Sequence, residues 1–481
     1  MGEAAEKLIG AGIRLTEGAM ILLEKSPHAN EAAEKLLEEK KVFVDAEDVE
    51  KIIAGIEKIP LPVEVRRSSD FHPIAKESAP NLRVLDHGDV SGKSRCTGTI
   101  ENFVAYFNDR FERMRRLLRT RITDKPIIES CRIKDMQGQI VRVIGIVYEK
   151  RITKNGNLLI ELEDLKGSTK VIVNAQSKAF PKSRSILLDD VIAVDGKVSD
   201  IFLIADELNY LDLPMVREQK KTESDLAIAY VSDLHVGSKN FLQKEFSRFL
   251  SWLGGEGGNA ELAGKVKYII IAGDNVDGIG IYPLQEKELV VKDIYKQYEM
   301  LDELLCQIPD YIEVVVCPGN HDAVRRADPQ PMIGGNLLKS DVRRIGSPGY
   351  VEIEGLSHLV YHGNSLDGII ASLPNMDYAH PEKPMVELLK RRHLSPPYGS
   401  NLIVPEEKDY LIIEEEPDVV HMGHVHKNST ATYRGTLLVN SGTFQSRTDY
   451  QIRNGHVPSP GVVPVYETKL GKIHNVSFVG E

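Results

Sequence analysis

Hydrophobic spacing along the chain changes character several times, and each change predicts a different kind of building block. Over residues 1–58 apolar positions recur at helical intervals, with Ala4, Leu8, Ile9 and Gly12 followed by stripes in AAEKLLEEKK and DAEDVEKIIAGIEK. This predicts a small helical N-terminal module. From 59 to 98 periodicity lapses, and Pro60, Pro62, Pro73, Pro80, the Ser68-Ser69-Asp70 cluster and GDVSGKS predict an extended linker. Helical period returns in 99–125, where Phe103, Tyr106, Phe107, Phe111, Met114, Leu117 and Leu118 share one face and Arg110, Arg113, Arg115, Arg116, Arg119 and Arg121 fill the rest. The prediction is a basic amphipathic helix whose arginine face is either solvated or turned to phosphates or a partner.

Residues 126–213 switch to short β-type runs, IVRVIGIVYEKRIT, NLLIELEDL, TKVIVNA, DVIAVDGKV and IFLIADELNYLDL. Five such strands in so few residues predict an OB-type β-barrel, the small barrel of oligonucleotide binders. Only Tyr148, Phe202 and Phe180 are available there as stacking rings, so docking on protein suits it at least as well as gripping bases. Within 222–481 the pattern becomes apolar strand, sharp turn, helix: LAIAYVSD, VKYIIIAGD, YIEVVVCPGN, HLVYHG, PDVVHMGH and GTLLVNSG. These are buried α/β strands. The expected fold class is multidomain α+β, with a helical module, a five-stranded barrel and a C-terminal α/β sandwich.

Composition narrows the class. At 481 residues the chain exceeds one hydrophobic core, and no apolar run approaches the ~20 residues of a membrane span. The N-terminus lacks an export signal, which places the expected location in the cytoplasm. Four scattered cysteines exclude a disulfide scaffold and a cysteine-built zinc site, so any metal must use His, Asp and Asn. A net charge of −11 argues against coating nucleic acid by bulk charge, while leaving room for an enzyme that holds it through local patches and cations.

Candidate chemistry sits directly behind the C-terminal strands: Asp233-Leu234-His235, Gly273-Asp274-Asn275, Gly319-Asn320-His321-Asp322, His362-Gly363 and Gly423-His424-Val425-His426. Carboxylate and imidazole donors at strand ends suit borderline or hard divalent ions, and a lone carboxylate such as Asp274 can bridge two of them. Two cations can clamp a phosphodiester and lower the pKa of a water. These residues, D-x-H, G-D, G-N-H-D, H and G-H-x-H in that order over roughly 226–445, resemble the calcineurin-like metallophosphoesterase family.

The resemblance implies that one metal takes Asp233, His235 and His426, the second Asn320, His362 and His424, and that Asp274 is shared. It leaves His321 facing the substrate to protonate the leaving oxygen, with Asp322 orienting it or simply capping a helix. His358, His393 and His421 compete with His362, which is preferred because it ends an apolar strand before a glycine. Manganese suits mixed oxygen and imidazole donors best, although magnesium, iron or zinc could take the same ligands.

Upstream of the phosphoesterase, the phrase NLRVLDHGDVSGKSRCTGTIENFVAYFNDRFERMRRLL, the barrel and the helical module together resemble the small subunits of archaeal family D DNA polymerases over most of the chain. That resemblance implies a 3′-to-5′ proofreading exonuclease, a large catalytic subunit as partner, DNA 3′ ends as substrate and a sliding clamp nearby. The alternatives are a non-catalytic assembly subunit and a repair nuclease of the same phosphoesterase family. The stretches EGGNAELAGK, Asp328 to Pro348 and Leu373 to Pro405 are read as surface loops that could form the rim of the site.

Overall fold

The computed structural model describes residues 2–480 apart from Pro27, Lys40, residues 58–64, Arg121, Ile122 and Asn454. Pro60, Pro62, Arg121 and the module boundary at residue 58 lie outside the described residues. The N-terminal segment forms helices Glu3–Gly10, Glu17–Lys25, Ala29–Glu38 and Ala46–Glu57. Thr16 starts the second by accepting the Ala19 amide, and Leu8, Leu23, Leu36 and Val49 close a small core. A two-residue parallel pair, Arg14–Leu15 with Phe43–Val44, ties the helices together. Helical period gives no sign of it.

The stretch read as an extended linker is partly built into the C-terminal sandwich. Leu82–Leu85 pairs antiparallel with Gly349–Ile353 as an edge strand, and the Asp89 carboxylate accepts the Gly346 amide at 2.8 Å. Four half-exposed residues are too few for alternation to register. Helix Ile100–Arg119 then opens on a capping box between Thr99 and Asn102. Phe111, Met114 and Leu118 pack with Ile144, Val191 and Ala193 of the barrel and with Ile412 of the sandwich, so one apolar stripe serves two neighbours. Its arginines correct the expected choice between solvent and an external partner. Arg110 is 1% exposed on the Asp409 carboxylate at 2.8 Å, and Arg113 reaches Glu414 at 3.0 Å. Much of the basic face is used inside the chain.

The barrel strands are Ile140–Ile152, Leu158–Asp164, Gly167–Val173, Val191–Ser199 and Phe202–Asn209. They close because Ile140–Ile152 pairs with both Leu158–Asp164 and Val191–Ser199, and Val143, Ile160, Val171, Val194 and Leu203 fill the interior.

The C-terminal part is two six-stranded sheets packed face to face. The first runs in the order Arg343–Arg344, Glu313–Cys317, Val266–Ala272, Ala227–Val231, Val462–Glu467, Lys472–Ser477. The second runs Asn428–Tyr433, Thr436–Ser441, Val419–Met422, Leu356–Val360, Gly349–Ile353, Leu82–Leu85. Ile228, Ile270 and Val315 meet Val351, Val360 and Val439 between them. Helices Gln243–Leu253 and Ile294–Leu305 cover the outer face of the first sheet, and Leu366–Ser372 and Glu382–Arg391 that of the second. Burial on both faces explains the unbroken apolar runs. The central strands of each sheet are parallel, which brings their carboxyl-end turns to one edge.

Two histidines inside this sandwich make its stability depend on pH. His358, 3.1 Å from the Tyr230 hydroxyl, is pushed down to about 4 by burial, and His421, on Ser441 at 2.9 Å, down to about 3. In the unfolded chain both would bind a proton near their ordinary 6.5, so as pH falls below that value the unfolded state is protonated first. Their contribution is complete above pH 6.5 and is lost as pH drops towards 4. Urea unfolding followed through Trp252, the single tryptophan, should lose about 1.4 kcal/mol per pH unit for each imidazole between pH 6 and 5. A midpoint that stays level across that interval would refute the assignment.

Candidate metal centre

Five turns of the sandwich converge, and the backbone of three of them is held in an unusual conformation. Asp233 (φ 52°), His235 (52°), Asp274 (50°), His424 (69°) and His426 (56°) are all left-handed. Asp and His tolerate this region better than most residues, yet each instance costs on the order of 1–3 kcal/mol. Such strain turns each side chain sharply off its strand end into a common space.

The motif glycines are needed for close approach. A Cβ on Gly319 would lie 2.2 Å from Asp274 Oδ1, and one on Gly423 would lie 2.4 Å from Asp233 Oδ2. Gly273 combines a φ of +86° with a Cβ position 2.5 Å from His362 Nδ1.

Three groups of donors form, each with ligand atoms within 4.8 Å of one another: Asp233, His235 and His426; His235, Asp274 and His321; Asp274, His362 and His424. Asp274 belongs to two of them. Its Oδ2 lies 3.3 Å from His362 Nε2, 3.7 Å from His235 Nε2 and 4.0 Å from His321 Nε2. Asn320 Oδ1 is 3.2 Å from His362 Nε2, and His426 Nε2 is 3.1 Å from His235 Nε2 and 3.4 Å from Asp233 Oδ1. His358, His393 and His421 all lie elsewhere, the first and last between the sheets and His393 on Asp409 at 2.8 Å.

The second nitrogen of each imidazole is occupied, which fixes the nitrogen left for the centre. His235 Nδ1 pairs with Asp277 Oδ1 at 3.0 Å, His362 Nδ1 with the Ala272 carbonyl at 2.8 Å and His426 Nδ1 with Gln451 Nε2 at 2.9 Å. His424 is reversed, with Nε2 on the exposed Asp367 at 3.0 Å. His235 and His362 therefore offer a lone pair on Nε2 and His424 one on Nδ1, while His426, its Nδ1 accepting from the Gln451 amide, turns Nε2 toward Asp233 and His235.

His321 points its Nδ1 at the Asp277 carbonyl, 2.7 Å away, and keeps Nε2 toward Asp274 and the cleft. Asp322 does not orient this ring. Its Oδ2 accepts the amides of Gly319 at 2.9 Å and Asn275 at 3.2 Å, its Oδ1 accepts the Tyr298 hydroxyl at 2.9 Å, and it caps no helix. It ties two ligand-bearing turns together, and the orienting group is Asp277. That residue is legible as the fourth position of Asp274-x-x-Asp277 and was missed, whereas Asp367 and Gln451 stand in segments with no local signal.

Charge explains what the centre wants. Burial works to raise Asp233, Asp274 and Asp277, but His426, His362 and His235 respectively hold them below the ordinary carboxylate range, Asp274 well below it. Burial likewise works to lower His362, and the Asp274 carboxylate overrides it, raising the imidazole to about 10. Three buried carboxylates require positive charge beside them. Two divalent cations on this oxygen and imidazole donor set would supply it, and the residues fit that demand.

A cleft of about 320 Å³ opens over the donors, lined by His235, Asp274, Asn320, His321 and His424 on its floor. Residues 226–428 match the model of the calcineurin-like phosphoesterase family, a class to which this fold and donor set conform. The chain also belongs to the family of DNA polymerase II small subunits. It is 43% identical over 413 residues to the one from Archaeoglobus fulgidus, covering 84% of this chain and 82% of that one. The Methanocaldococcus jannaschii relative is 41% identical, covering 85% and 69%, and the Methanothermobacter thermautotrophicus relative 39%, covering 86% and 84%. Among the described residues no helix is long and apolar enough to cross a membrane.

Proposed function

We propose that this chain is the small subunit of a heteromeric replicative DNA polymerase and that its phosphoesterase centre is a 3′-to-5′ proofreading exonuclease. The partner is a large subunit carrying the polymerase site, the substrate is a DNA 3′ end, and a sliding clamp is a further neighbour. The observation that carries the reading is the complete donor set, buried and strained, with His321 held beside it by a backbone carbonyl. An assembly subunit has no physical need to hold five donors in left-handed backbone, two of them carboxylates buried beside a third, Asp277.

Asp233, His235 and His426 would hold one divalent cation, Asn320, His362 and His424 the other, and Asp274 both, with manganese the best match to the donors. Bound there, the ions supply a clamp for the phosphodiester and an activated water. His321 acts as the imidazolium, giving its Nε2 proton to the departing 3′ oxygen and ending neutral with the Nδ1 hydrogen on the Asp277 carbonyl; burial, which weakens its hold on the second proton, favours the release. Asp277 thereby serves two rings, His235 through its carboxylate and His321 through its backbone. The product is a nucleoside 5′-monophosphate.

The test is release of mononucleotide from a 3′-labelled single strand in manganese, by the wild-type chain and by His321→Ala, with bound metal measured in each. Loss of about 10²- to 10⁴-fold in rate with metal retained is expected for a proton donor that is not a ligand. A wild-type chain inert both alone and with its large subunit would leave only the assembly role.

A further inference from the structure

Two walls of the cleft carry rings that the hydrolytic chemistry does not use. On one side Tyr282 stands half-buried, its ring 6.1 Å from that of His321. On the other, Tyr378 and His456 lie against each other with ring centres 4.0 Å apart and planes 32° from parallel. Tyr378 comes from the insertion between His362 and His424, His456 from the segment after the last ligand. Neither segment carries a ligand itself.

The Tyr378–His456 wall is braced against the metal centre through both of its rings. The Tyr378 hydroxyl hydrogen-bonds Asp367, whose carboxylate holds His424 Nε2 at 3.0 Å. His456 donates its backbone amide to Gln451 at 2.8 Å, and the Gln451 amide holds His426 Nδ1 at 2.9 Å. These two rings are thus fixed in position relative to the phosphate that the ligands would hold. The cleft volume of about 320 Å³ is at the lower end for small-ligand sites, room for one nucleotide.

We infer that Tyr282 and the Tyr378–His456 pair form a seat for the terminal nucleobase of an unpaired DNA 3′ end, recognising its flat face whatever its identity. This rests on the exonuclease reading and names its substrate class. Every base has a π-face, so stacking on rings is tolerant of sequence, as removal of any mismatched nucleotide requires. A base still paired and stacked in duplex cannot present that face, which makes fraying of the primer end the feature selected. The barrel offers only Tyr148, Phe180 and Phe202 as rings, none of them beside the metal centre.

The test uses the full-length chain and a single strand ending in 2-aminopurine, whose fluorescence falls on stacking, titrated in calcium. In parallel, hydrolysis in manganese is measured on a natural end and on one whose last nucleotide lacks its base. The expected result is quenching by wild type and by Tyr378→Phe, which keeps the ring, and loss of quenching in Tyr282→Leu and His456→Leu. KM for the natural end should rise about tenfold in the leucine variants, while the baseless end, already weak, should not distinguish them from wild type. Equal binding of baseless and natural ends, or undiminished quenching in variants whose Trp252 unfolding midpoint is unchanged, would overturn the inference. If quenching depends on the rings but no nucleotide is released even with the large subunit, the exonuclease reading fails and the base seat stands. Release of nucleotide with ring-independent binding sinks the seat alone.

Discussion

Asp274→Asn is expected to abolish hydrolysis and to leave the protein folded. The carboxylate belongs to two of the donor clusters and is the only carboxylate among their members that does, with Oδ2 facing His362, His235 and His321 and Oδ1 accepting the His321 amide at 2.9 Å. An asparagine can keep that amide contact through its oxygen, but its NH₂ would face the imidazoles and it carries no charge. Loss of an outer partner of a metal ligand typically costs about 10- to 100-fold. Asp277→Asn, which touches the centre only through His235 and His321, belongs in that range. Removing the shared ligand itself should exceed it, by about 10³-fold or more in rate. Thermal unfolding separates this from misfolding, since an ion that binds only the native state raises the midpoint with the logarithm of its concentration relative to its dissociation constant. Wild type should gain stability with added manganese and Asp274→Asn should not, each judged against its own metal-free midpoint. A variant that still gains the full manganese shift would show that Asp274 is not a ligand.

The parts of this centre that were legible in sequence share one physical circumstance. Asp233, His235, Asp274, Asn320, His321, His424 and His426 each stand within five residues of the end of a strand buried on both faces, so an unbroken apolar run points to them. The glycines beside them stand out for the same reason, because there is no room for a side chain against the neighbouring carboxylate. Asp367, Gln451, Tyr378 and His456 were not legible. They arrive from a surface helix and from insertions, and nothing in their local spacing says which imidazole or ring they will meet. The edge strand Leu82–Leu85 escaped for a related reason, since the strand it pairs with lies more than 250 residues away. On helix Ile100–Arg119 the amphipathic period was plain, but period alone cannot distinguish an arginine in water from one buried on a carboxylate.

Arg110→Ala should therefore act on how the domains are joined. The Arg110 guanidinium is committed on all sides: Nε to Asp409 at 2.8 Å, Nη1 to the Pro396 carbonyl at 2.9 Å and Nη2 to the Tyr106 hydroxyl at 3.0 Å. Burial works to raise Asp409, and His393 with Arg110 holds it well below the ordinary range, so the carboxylate is ionised and depends on its cation. Truncation leaves that charge buried without its partner, which costs about 3–5 kcal/mol. It also unpins the helix whose Phe111, Met114 and Leu118 bridge the barrel and the sandwich. An energy of that size multiplies the population with the helix undocked by about two to four decades. Limited proteolysis between residues 95 and 125 should accelerate accordingly, while the Trp252 transition, reporting a core on the far side of the first sheet, moves less. The double variant Arg110→Met with Asp409→Leu removes both charges and should recover part of the loss, as buried ion pairs replaced by apolar groups often do. Unchanged cleavage in Arg110→Ala would mean that the apolar stripe alone docks the helix. A double variant no better than the single one would mean that the helix is held by the wider polar network through Arg113 and Glu414.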